Sequence, residues 1–118
     1  MVVTLLSEIN QNQRLLENFD FHLRTKKFKT DSWERNKSKL DFLPQELLAT
    51  LSHAFSIAKD FNEKIDTARK YKSTSYMASI ELDKLKLPLA KGKQQLKEWL
   101  EANLENPEYH PKGSGFFS

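Results

Sequence analysis

Two asparagines set the sharpest chemical constraint in this chain. Asn12 lies in the file Leu5, Ile9, Asn12, Leu16, Phe19 and Leu23, which steps alternately by four and three. That is a heptad seam with one polar member. Asn62 lies beside a second such file, Leu47, Leu51, Ala54, Ala58, Phe61, Ile65 and Ala68. A carboxamide carries two donors and an acceptor. Placed in an apolar seam, it must be matched or it costs a few kcal/mol. The spacing therefore suggests a buried polar pair, Asn12 against Asn62 across two helices. The other arrangement left open puts both amides at the seam edge, facing water.

The second constellation is basic. Arg24, Lys26, Lys27, Lys29, Arg35, Lys37 and Lys39 face only Asp31 and Glu34 over the same stretch. Phe28 and Trp33 are interleaved with these cations, a mixture found on anionic membrane surfaces and on nucleic acids. A solvated helix face whose two aromatics turn to the core accounts for the same pattern. The whole chain carries a formal net charge of only +3, and nucleic-acid modules show a larger and more clustered excess. Contact of the seven cations with an anionic surface is the expectation, with nucleic acid the lesser alternative.

Catalytic chemistry finds no foothold. His22, His53 and His110 fall on separate segments, without the Glu-x-x-His or His-Glu-x-x-His spacing that places ligands on one helix face. The chain has no cysteine, which removes disulfides, thiolate nucleophiles and Cys-ligated zinc. There is no Gly-x-Ser-x-Gly elbow and no glycine-rich phosphate loop. The carboxylates Glu8, Glu17, Asp60, Glu63, Asp66, Glu81, Asp83, Glu98 and Glu101 alternate with lysines, which reads as a solvated face with i,i+4 pairs. The expectation is a non-enzyme with no catalytic residue, metal or cofactor.

The elements that position these residues read as helices. The central one spans 43–68, with Pro44 at the first helical position and Glu46 in the first turn. A first helix spans 4–23, capped by Thr4 or Ser7, or else continues through 26–29 and breaks only at Thr30. Asp31-Ser32-Trp33-Glu34 has the form of a capping box opening a short helix over 32–39. A connection at 72–78, where Tyr76 and Met77 fold back, leads to a last helix over 80–105. Pro88 should kink or break that helix near 85–87, and Gly92 on its apolar stripe suits a close backbone approach.

The fold class that follows is all-α: an antiparallel bundle of three long helices plus a short one, in one domain over 1–105. Its expected core is Leu5, Ile9, Leu16, Phe19, Trp33, Leu47, Leu51, Phe55, Ala58, Ile65, Leu82, Leu85, Leu89, Leu96 and Leu100. Residues 106–118 read as a flexible tail whose Phe116 and Phe117 either form a docking motif or wrap the bundle. Three helices leave a groove open to a partner helix or to self-association. No run of about 18 apolar residues is present to span a bilayer.

Leu5–Glu17 (LLSEINQNQRLLE), Phe28–Leu51, Ala54–Asp66 and the run Lys70–Leu89 together resemble an uncharacterised family of small bacterial and archaeal helical proteins. Its pattern is LLxEIxxNxxLLE, then SWExxK, then LPxELLxxLxxAF. The resemblance covers most of 5–105. It implies a helical domain on the cytoplasmic side of a membrane, since such proteins often carry an anchor just before the first helix. It implies no activity and no catalytic residues. The expectation is a cytoplasmic interaction or scaffolding domain, either soluble or the soluble part of a longer anchored protein.

Overall fold

In the computed structural model, residues 1–103 are described, and 74% of them are helical with no strand among them. The long helices are α1 (Val2–Glu17), α3 (Gln45–Lys70) and α5 (Asp83–Ala102). Two short ones, α2 (Asp31–Asn36) and α4 (Thr74–Ala78), lie between them, and α2 runs on into a single 3-10 turn over Lys37–Lys39. Leu104, His110, Phe116, Phe117 and the tail over 106–118 lie outside the described residues.

The broadest interface joins α3 to α5, and α1 packs on α5 as well. The core follows the apolar files: Leu5, Ile9, Leu16, Leu47, Leu51, Phe55, Ala58, Ile65, Leu85, Leu89, Leu96 and Leu100 are all buried. Phe19 and Leu82, expected in that core, are only half-buried at its margin. Gly92 faces α3, and a Cβ added there would stand 3.2 Å from Leu51 Cδ2. The helix is continuous across Pro88. At the start of α3, Pro44 takes the N-cap position, one residue before the helix, with extended ψ of 145°. Ser73 caps α4 by accepting from the Tyr76 amide at 3.1 Å, which turns Met77 fully into the core while Tyr76 stays exposed.

The first helix departs most from expectation. It stops at Glu17 rather than Leu23, and it does not continue through 26–29. Asn18 terminates it: both its backbone N–H and its side-chain Nδ2 donate to the Arg14 carbonyl, each at 3.0 Å. Asparagine competes with the helix for backbone partners in this way. The chain from Asn18 to Thr30 then turns back without helix, and over 25–30 it has no regular secondary structure. This returning segment is the strap that organises the rest of the site.

Candidate functional site

The strap is held by side chains reaching from helices on either side. Asn12 on α1 accepts from the Lys29 N–H at 2.7 Å and donates to the Lys29 carbonyl at 2.8 Å. Asn62 on α3 does the same to Phe28, accepting at 2.7 Å and donating at 2.9 Å. In extended backbone, the N–H and C=O of one residue point to the same edge, and those of the next residue to the other. Each amide therefore acts as a one-residue strand neighbour, and the two seize adjacent residues from opposite edges. The Asn12–Asn62 pair expected from the sequence is replaced by two clamps on one segment. Peptide groups of the strap, and not the partner amide, satisfy each carboxamide.

Two further residues, missed in the sequence reading, complete the anchorage. Arg69, on the last turn of α3, donates from Nε to the Leu23 carbonyl at 2.8 Å and from Nη2 to the Thr25 carbonyl. Glu8, expected on a solvated face, is buried. Its two carboxylate oxygens accept from the backbone N–H groups of Ser32 and Trp33 at 3.0 and 3.1 Å. These are free amides of the first turn of α2, so Glu8 caps that helix from α1 and complements its dipole. The local capping box is not formed: Thr30 holds the N-cap position and no side chain caps from within the segment. Glu34 instead pairs with Lys37 at 2.9 Å and Lys59 at 3.4 Å. The hydrogen bond from Lys37 holds the Glu34 carboxyl below its usual range, and Lys59 adds to the effect.

The two aromatics interleaved with the cations are internal. Phe28 is buried against Phe19 and Phe61, with ring centroids 6.0 and 6.1 Å apart. Trp33 stacks on Phe55 at 5.3 Å. Neither offers a face to a nucleobase. Phe21 of the strap reaches the surface, set edge-on to Phe19 at 4.8 Å.

All seven cations named from the sequence are exposed, and four of them line two separate cavities. Lys26, Lys27 and Lys29 gather with Arg14 and Leu15 of α1 around a shallow cavity of about 300 Å³. Lys37 belongs elsewhere, in a groove of about 440 Å³ between α2 and α3 whose walls carry Glu34, Lys59, Asp60 and Glu63. Lys27 is tied to Asp66 at 3.1 Å, whereas Arg14, Lys26 and Lys29 have no acidic partner among the described residues.

His53 and His22 are exposed, with His22 3.5 Å from Asp20. Among the described residues no cluster of three His, Cys, Asp or Glu residues could hold a metal ion, and no helix is long and apolar enough to cross a membrane. Comparison of the chain with family models, with curated proteins and with solved structures returns no match.

Proposed function

We propose that this chain is a non-catalytic interaction or scaffolding domain that presents its strap to an anionic membrane surface, with the cytoplasm as its setting. The observation that carries the reading is the strap itself. Two asparagine clamps and Arg69 fix a non-helical segment whose cations face outward. The same segment exposes Phe21 at 41%. Basic side chains and an exposed aromatic on one segment suit a headgroup layer, where each cation near an anionic leaflet contributes about 1 kcal/mol. The reading takes α1, α3 and α5 as an antiparallel three-helix bundle that serves as the rigid support. A protein partner, or a second copy docking along a helical groove, would be the other half of the scaffold. The resemblance to anchored helical proteins agrees with this setting.

Co-sedimentation with vesicles containing phosphatidylserine tests the proposal. Binding at low salt should be lost when Lys26, Lys27 and Lys29 are all changed to Glu, and should weaken as salt screens the surface. Absence of binding at low salt overturns it. The alternative, a nucleic-acid-binding module using the same cations, requires a steep fall of affinity with salt. It is less well supported, because Phe28 and Trp33, the aromatics interleaved with the cations, are buried and cannot stack on bases.

A further inference from the structure

The cavity beside the strap differs from the rest of the basic surface. Arg14, Lys26, Lys27 and Lys29 stand around it, and no carboxylate is among its described lining residues. Three of the four have no acidic partner among the described residues, while other cations on the protein are ion-paired: Lys37 and Lys59 with Glu34, Lys64 with Asp60. Like charges brought together on a mobile loop would swing apart. Here the backbone of Lys29 is fixed at both its N–H and its carbonyl by Asn12, so the segment that carries three of the cations keeps its place beside Arg14. An anion seated among them would offset their mutual repulsion.

We propose that this cavity is a phosphate site, taking a phosphomonoester through Arg14, Lys26 and Lys29 with Lys27 at its rim. The proposal rests on the reading that this face meets anions, and it makes that reading specific. A phosphomonoester carries close to two charges near neutral pH and presents three acceptor oxygens. A guanidinium meets two of them as a fork while ammonium groups act as point charges. A phosphodiester headgroup has one charge and fewer free oxygens, so it answers the cations around this cavity less fully. The size, about 300 Å³, is at the lower end for small-ligand sites. Leu15 on the wall suits a short apolar stem next to the phosphate. That chemistry has two sources, a phosphatidate headgroup in a bilayer or a free organic phosphate.

The test is an amide NMR titration of the whole chain with inorganic phosphate and with glycerol 3-phosphate, against chloride at equal ionic strength. Saturable shifts confined to 11–15 and 25–29, reduced at least tenfold in affinity by Arg14→Gln with Lys26→Gln, support the site. Both side chains are exposed, so an unchanged melting temperature of the variant without ligand confirms that it folds. Vesicles containing phosphatidate or phosphatidylserine at matched charge separate the sources. Preference for phosphatidate assigns the headgroup, and saturable binding of free phosphate without that preference assigns a soluble ligand; both support the site. Linear shifts with every anion, alongside equal binding to both vesicle types, overturn the phosphate site and leave the surface reading standing. Absence of response to phosphates and to vesicles overturns both.

Discussion

Replacing Asn12 with alanine removes two hydrogen bonds at once, and both go to the backbone of Lys29. Each such bond contributes about 1 kcal/mol net. The larger effect is on the groups left behind, since a buried peptide donor or acceptor without a partner costs about 1–3 kcal/mol. Asn12 is 1% exposed, so water reaches the vacated position poorly. The expected loss is about 3 kcal/mol for Asn12→Ala, and about 2 kcal/mol for the less buried Asn62→Ala, where water can replace part of the clamp. Asn12→Asp should be at least as damaging, because it sets a carboxylate oxygen against the Lys29 carbonyl where an N–H now donates. The two clamps hold neighbouring residues of one segment, so losing either loosens the segment for both. The double variant should therefore cost less than the sum, with a coupling of about 1 kcal/mol.

Urea denaturation followed by circular dichroism measures all three variants, and a loss of 1 kcal/mol shifts the midpoint of thermal melting by about 4–8 °C for a domain of this size. Amide hydrogen exchange gives a local readout. Phe28 and Lys29 should be protected in the wild type although neither is in a helix, and Asn12→Ala should release Lys29. Additivity within 0.5 kcal/mol, or single losses below that value, would refute the shared-strap argument.

Three other perturbations bear on the same framework. Glu8→Gln keeps an acceptor for one of the two α2 amides but opposes the other with an NH2 group, and should cost about 2 kcal/mol in urea denaturation; a larger loss from Asp31→Ala would restore the local capping box. Gly92→Ala should fall within about 1 kcal/mol of wild type, because helix propensity offsets the 3.2 Å approach to a movable Leu51 methyl, whereas Gly92→Val should lose about 1–3 kcal/mol by overpacking; equal stability of the valine variant would contradict the close approach. The Glu34 carboxyl should titrate below its ordinary value in a carbon-detected NMR experiment, and Lys37→Ala should move it back further than Lys59→Ala. With a folded pKa below the unfolded one, its small stabilising contribution is present above the ordinary value of 4.5 and fades as pH falls through the folded pKa.

The long helices were legible because their apolar files are regular: Leu47 to Ala68 alternates by four and three without a break, and the structure buries every member. The same rule misled at 19–23. Phe19 and Leu23 extend the file of the first helix, yet they reach the core margin from a non-helical segment. Side-chain burial is what periodicity reads, and it does not depend on how the backbone delivers the side chain. Asn18 and Asp20, weak helix formers that offer local hydrogen bonds, carried the contrary signal. Glu8 was misplaced among solvated acids because composition cannot distinguish an exposed carboxylate from a buried cap. Its position was nonetheless informative, lying four residues before Asn12 and hence on the same helix face. Arg69 falls in the last turn of α3, where a cation complements the helix dipole, and its long side chain also reaches the strap.

The asparagines deserve a causal account beyond their energies. An extended segment between two helices has no sheet neighbour, and the helices cannot supply one, because their own peptide groups are spent along their axes. Only side chains can satisfy such a segment. Asparagine is suited to this because its head is itself a primary amide, able to give and accept at one edge as a strand neighbour does. A leucine at position 12 or 62 would pack well and leave the peptide groups of Lys29 or Phe28 unpaired, so apolar burial alone would favour a different path for the strap. An asparagine in an otherwise apolar helical file therefore signals non-helical backbone lying against that face, as much as it signals a second asparagine. In this chain, two of them on separate helices address consecutive residues of one segment, and that is how an all-helical framework fixes the cations at 26–29 without a sheet.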